Sequence, residues 1–184
     1  VQHGSDKMLK IMRRGLGPDG IKKRIDGLRN VKSNISFRTS IIVGFPGETD
    51  KDFQKLYDFV EEIQFDRLGV FTYSEEEGTH GALLKDDVPD KIKTQRMDAI
   101  MLLQQDINLN KNKALVGNNE RVLIDRYCED GTSIGRTYRD APEVDNFIRI
   151  DKSLPIGEFI DIKITEAFEY DMKGEPLIHE SDTV

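Results

Sequence analysis

The chain alternates from Ile35 through Phe37, Thr39 and Ile41 to Val43, and closes in three consecutive apolar residues at 41–43. A period of two predicts a β-strand, and the apolar close predicts one covered by helices on one side. Gly44 ends it. Next come Gly44-Phe45-Pro46-Gly47-Glu48-Thr49, a turn, with Thr49 as N-cap and Asp52 at the capping-box position. Phe53, Leu56, Tyr57, Val60 and Ile63 then recur at helical spacing, and Leu68 to Ser74 reads as a second strand. Strand, helix and strand in that order imply parallel pairing with a right-handed crossover. The loops after Val43 and after Tyr73 therefore open on one edge of the sheet, where sites in α/β folds lie.

Upstream, Ser5 as N-cap, the stripe Met8, Leu9 and Met12, and Gly15 as a stop predict a helix over about 6–14. Pro18 opens a second helix with Ile21, Ile25 and Leu28 on its buried face, ending near Asn30. Val1 to Asp6 reads as the end of a strand running into the first helix, with no initiator methionine, so the expectation is a chain that starts partway through a longer one. Pro89 starts a long helix to about Lys113, with Ile92, Met97, Ile100, Met101 and Ile107 toward the sheet. After Gly117 helical periodicity stops. Short β-rich runs at 122–124, 133–136, 147–150 and 159–165, separated by turn residues, predict a small closed barrel of four or five strands with OB-like architecture. The expected domains are 1–116 and 117–184, with a frayed tail after about Pro176.

Length and charge narrow the function. The chain has 184 residues, 37% hydrophobic and 33% charged, which leaves room for one ordinary domain or two small ones. Its apolar runs are far shorter than the roughly 20 residues of a membrane span, and the expectation is a cytoplasmic protein. Cys128 is the one cysteine, which excludes an internal disulfide and any multi-cysteine metal cage built from this sequence alone. Residues 1–117 hold 19 basic and 18 acidic residues, whereas 118–184 hold 8 basic and 16 acidic. An acidic C-terminal domain repels a phosphate backbone and attracts a basic protein.

The chemistry-bearing stretch is Arg38 to Thr49. A guanidinium on a strand, an apolar strand end and a glycine-rich turn suit an anionic group, a planar ring and a closely approaching ligand edge. His3 stands at the same open edge, without a carboxylate partner evident from spacing, while His80 and His179 fall in a loop and the tail. Glu75 to Glu77 reads as a solvated acidic loop. No catalytic dyad, phosphate-binding P-loop or metal triad can be assembled from the spacings.

Gln2-His3-Gly4-Ser5-Asp6, Leu9 to Gly15, Arg38-Thr39 with Ile42 to Thr49, and Phe65 to Ser74 closely resemble the methylthiotransferases of the radical S-adenosylmethionine superfamily. The likeness continues through Leu102-Leu103-Gln104-Gln105 into a segment resembling a TRAM domain, and so covers almost the whole chain. The run Gly135 to Asp145 is similar to the branch that modifies small-subunit ribosomal protein twelve. The resemblance implies an α/β plus all-β chain: the C-terminal part of an open radical-SAM (β/α)6 barrel followed by a small OB-like TRAM barrel. It implies S-adenosylmethionine and two 4Fe-4S clusters in a full-length enzyme. Neither the CxxxCxxC loop nor the second cysteine set occurs here, so no cluster and no activity are expected of this sequence alone.

Further implications of the resemblance concern residues. Ile42, Val43 and Gly44 would pass the adenine, Arg38 would meet the charged portion or ribose, Val70, Phe71 and Tyr73 would close the adenine pocket, and Gln2 and His3 would face it. The implied reaction is methylthiolation at the β-carbon of an aspartate in the ribosomal protein. Asp140, Glu143 and Asp145, held out by a Pro142-containing loop, are the expected docking residues for that basic substrate. The alternatives are the same chemistry on tRNA, opposed by the acidic domain and the Arg136 to Asp145 run, and a non-enzymatic barrel that tethers a partner to the ribosome.

Overall fold

The computed structural model describes residues 1–177 and divides the chain into two compact units, Val1–Ile107 and the part from Asn108 on. The expected tail, with His179, lies outside the described residues. The first unit runs α1 (Asp6–Ile11), α2 (Pro18–Val31), β1 (Arg38–Val43), α3 (Asp50–Ile63), β2 (Arg67–Thr72), a 3₁₀ turn at Gly81–Leu83, and α4 (Asp90–Lys113), whose last turns belong to the second unit. Strands β1 and β2 pair in parallel, from Arg38 opposite Arg67 to Val43 opposite Thr72.

Alternation along β1 buries Ile41 and Val43 against Leu56 and Val60 of α3 and Ile100, Leu103 and Ile107 of α4. Burying each such side chain is worth about 1.5–3 kcal/mol. The helical face of α4 is thus Ile100, Leu103 and Ile107, at i, i+3 and i+7, and Met101, expected there, sits partly exposed a quarter turn away. In α2, Ile25 is buried with Phe59, Ile63 and Phe65, but Leu28 is exposed. The first helix is shorter than expected. It ends at Ile11 because Arg13, not Gly15, takes the left-handed conformation at φ 56°.

The second unit is a closed barrel of β3 (Asn119–Tyr127), β4 (Ser133–Arg136), β5 (Ile148–Ile150), β6 (Phe159–Ala167) and β7 (Met172–Pro176), in the order β3-β4-β5-β7-β6. Val122, Ile124, Ile148, Ile150, Ile162 and Ile164 fill it, with Met172. Gly135 is required by close packing: a Cβ there would lie 2.5 Å from Val122 Cγ1 and 2.7 Å from the Leu123 carbonyl oxygen. No helix among the described residues is long and apolar enough to cross a membrane.

Candidate functional site

The C-terminal ends of β1 and β2 form one rim, and the strand face turned away from α3 and α4 carries Ser40, Ile42, Phe71 and Tyr73. A cavity of about 480 Å³ opens there. Ile42, Phe45, Phe71, Tyr73 and Met12 supply apolar and aromatic lining, and Gln2, Arg14 and Glu76 supply polar lining. Phe45 meets Tyr73 edge to face, with centroids 4.9 Å apart and planes at 68°. Phe71 leaves 58% of its surface open, an unusual exposure for a phenylalanine and one that a planar ligand would cover.

Two polar atoms beside the cavity lack protein partners among the described residues: the Tyr73 hydroxyl and His80 Nδ1, both buried. Burial pushes the Tyr73 phenol above its usual range, with Glu75 and Asp86 adding to the shift and Lys93 opposing it. Lys93 Nζ stands 5.6 Å from the Tyr73 ring centre. Burial alone would lower its ammonium, yet hydrogen bonds to Asp86 (2.5 Å) and Asp90 (3.3 Å) outweigh that and raise it.

Beneath the rim lies a buried network that holds the turn after β1. Gly44 adopts φ 70°, and a Cβ there would lie 2.3 Å from Lys93 Cγ, so both conformation and room demand glycine. Its N–H donates to Glu48 Oε2 at 2.9 Å. Arg96 Nη1 donates to Glu48 Oε1 at 2.8 Å, and Arg96 Nη2 donates to Asp50 at 2.7 Å. The Ser5 N–H donates to His3 Nδ1 at 2.9 Å, which leaves the imidazole proton on Nε2 to donate to Glu48 Oε2 at 3.2 Å. Ser5 is not the expected side-chain cap of α1; its hydroxyl donates instead to Asp52 at 2.7 Å, where Lys7 and Thr49 also converge. Burial would raise the Asp52 carboxyl, but the hydrogen bonds from Thr49, Ser5 and Lys7 overcome it and hold the group well below the usual carboxylate range.

Of the expected ligand residues, Ile42, Phe71, Tyr73 and Gln2 are brought together around the cavity. Val43 and Val70 are not, because strand alternation turns them to the helix-covered face, where they pack in the core. Gly44 shapes the rim against Lys93 and Glu48. His3 is fully buried on Glu48, a partner 45 residues away that spacing could not reveal. Arg38, expected at the charged portion or ribose of the ligand, lies at the opposite end of β1, exposed and with interactions of its own, and does not line this cavity. Arg14 stands at the cavity instead. The sequence reading did not place Met12, Arg14 or Arg96 at the site, and it took Phe45 and Glu48 only as part of the stretch from Arg38 to Thr49; Glu48, five residues past the end of β1, carried no local sign of its burial.

In the barrel unit, Asp140 is buried and accepts from the Thr137 hydroxyl at 2.7 Å, and Asp145 accepts from the Ala141 N–H at 2.7 Å. Both build the loop, as aspartates commonly do in turns. Glu143 is exposed, at φ 62°.

Residues 1–60 match the Radical SAM superfamily, and residues 116–177 match the TRAM domain. The chain is 46% identical over 178 residues to the ribosomal protein uS12 methylthiotransferase RimO of Cytophaga hutchinsonii, covering 95% of this chain and 40% of that protein. It is 46% identical over 179 residues to the protein of the same name in Flavobacterium johnsoniae (96% and 41%), and 41% identical over 179 residues to that of Clostridioides difficile (96% and 40%). It spans about 40% of the length of these curated relatives. The segment that carries β1 and its side of the rim is thus similar to the radical SAM superfamily, and the closed barrel to a TRAM domain. Across 95–96% of its own length the chain is similar to proteins named ribosomal protein uS12 methylthiotransferases.

The radical SAM likeness carries with it S-adenosylmethionine and iron–sulfur chemistry. The cavity fits the former: it offers aromatic and aliphatic walls for a planar ring, and buried polar atoms on Tyr73 and His80 without partners. The residues present do not fit a cluster. Cys128 is a single half-buried thiol in the barrel unit, and no group of three or more His, Cys, Asp or Glu among the described residues is placed to hold a metal ion.

Proposed function

We propose that this chain forms the nucleoside-binding rim and the accessory barrel of a cytoplasmic methylthiotransferase that acts on an aspartate of ribosomal protein uS12. The reading is carried by one observation: the aromatic-walled cavity sits at the parallel strand ends within and beside the segment that matches the radical SAM superfamily. The relatives' name and the acidic balance of residues 118–184 support a basic protein as substrate.

S-adenosylmethionine, together with 4Fe-4S clusters held by residues outside this sequence, two in number by family resemblance, supplies hydrogen-atom abstraction and methylthio transfer at the substrate β-carbon. This chain's residues bind and orient. Ile42 and Phe71 would face the adenine, Tyr73 would close the pocket beside it, and Gln2, whose carbonyl receives the Ile42 N–H at 3.1 Å, would line it. Gly44 lets the backbone approach closely, and the Glu48 network with His3 and Arg96 keeps that turn rigid, so the rim is preorganised before ligand arrives.

The test is product analysis with an enzyme of the relatives' full length carrying this sequence, given both uS12 and tRNA. Methylthiolation of an aspartate-containing uS12 peptide, read by mass spectrometry, is the expected result. Modification of tRNA instead, or of neither, overturns the assignment, the latter in favour of a barrel that only tethers.

A further inference from the structure

We infer that Arg14 is the carboxylate-recognising residue of the cavity, a role that rests on the proposed reading only in taking the cavity as a ligand site. Arg14 reaches it through an unusual helix end. The Arg13 N–H donates to the Lys10 carbonyl at 3.0 Å and the Arg14 N–H to the Leu9 carbonyl at 2.7 Å, the paired bonds of a Schellman close with Arg13 at the left-handed position. Glycine usually fills that position. Gly15 stands only two residues on, yet the chain accepts a non-glycine residue at φ 56°, a strained conformation of the kind found at ligand clamps. The turn brings Arg14 back to the strand ends, where its Nε donates to Gln2 Oε1 at 2.8 Å.

That bond orients the guanidinium and uses only one of its five N–H groups. Among the described residues neither Nη has an acceptor. Glu76, the acid that also lines the cavity, accepts from the Ser74 hydroxyl at 3.2 Å instead. A guanidinium fixed at Nε, with both Nη groups open beside Met12, Ile42 and Phe71, is complementary to a carboxylate, which accepts two parallel hydrogen bonds from such a fork. Arg14 is exposed, so the fork is open to a ligand that enters from solvent. Two sources of this group are compatible with the cavity: the amino-acid end of S-adenosylmethionine, and a carboxylate side chain of the protein substrate.

Equilibrium binding to the full-length enzyme separates the sources. The probes are S-adenosylmethionine, 5'-methylthioadenosine, which lacks the carboxylate, and two uS12-derived peptides that differ only in aspartate or asparagine at the modified position. Arg14→Gln is expected to weaken one carboxylate-bearing probe by about ten- to a hundredfold and to leave its carboxylate-free counterpart unchanged. Loss confined to S-adenosylmethionine assigns the cofactor as the source; loss confined to the aspartate peptide assigns the substrate. Arg14→Lys, which keeps the charge without the fork, should fall between the two and guards against a folding defect in the glutamine variant. Wild-type enzyme that binds the probes, with both variants binding them equally well, overturns the role of Arg14. Wild-type enzyme that binds none of them overturns the reading of the cavity itself.

Discussion

At the scale of single residues, Glu48 matters most to the rim. Its carboxylate is buried and receives hydrogen bonds from the Gly44 backbone, His3 and Arg96, and a buried charge persists only with such partners. Glu48→Ala should destabilise the first unit by about 3–5 kcal/mol, since it strands the buried Arg96 with Asp50 as its remaining carboxylate. Glu48→Gln keeps an acceptor for Gly44 and should cost less. Denaturant unfolding of the chain, compared with the two variants, checks this; equal stability of Glu48→Ala and wild type refutes the network. His3, Glu48 and Arg96 are separated by 45 and 48 residues, so their meeting depends on the packing of three elements and left no local trace in the sequence. Ile42 and Phe71 were expected at the ligand through the family resemblance, and period-two alternation puts both on the strand face that lines the cavity. The same rule, applied to Val43 and Val70, turns them into the core.

At the scale of elements, the start of α3 shows what local chemistry determines. Thr49 and Asp52 form the reciprocal cap expected from the sequence, with the Asp52 N–H donating to Thr49 Oγ1 at 3.3 Å. Ser5 and Lys7 then add bonds that only tertiary structure supplies, and they redirect the serine expected to cap α1. Asp52 is held below its ordinary pKa in the folded state. It therefore contributes stability that is complete above the unfolded value of about 3.9 and is lost as pH falls from there through the folded value. Asp52→Asn should be less stable than wild type at pH 7, by about 1–3 kcal/mol, with the difference shrinking steadily below about pH 4. Thermal or urea melts of both proteins from pH 7 down to 2.5 make the check, and a pH-independent difference would count against the ionic origin. Strand β7, with Gly174 and Pro176 in five residues, carries too little alternation to be read and exists because the barrel closes on it, whereas β5, only three residues long, falls within the run expected at 147–150.

At the scale of the whole molecule, the charge asymmetry was visible in composition, but its division of labour was not. Asp140 and Asp145 look like docking residues beside Glu143 in sequence, whereas in the barrel they satisfy the Thr137 hydroxyl and the Ala141 N–H and so hold the loop together. Only Glu143 of the three is exposed with its charge outward. These roles separate under substitution. Asp140→Asn, which weakens a buried hydrogen bond to Thr137, should lower barrel stability by about 1–2 kcal/mol and leave the salt dependence of uS12 association as it is. Glu143→Lys should leave stability within about 0.5 kcal/mol, because it sits on the surface. It should also slow association of uS12 with the full-length enzyme at low ionic strength, with the deficit fading as salt screens the interaction over about 10 Å at 0.1 M. Association rates measured across a salt series, with melts of the same variants, decide between the roles. A Glu143→Lys enzyme that captures uS12 at the wild-type rate at every ionic strength removes this loop from the docking surface and leaves the acidity of the barrel to its other faces.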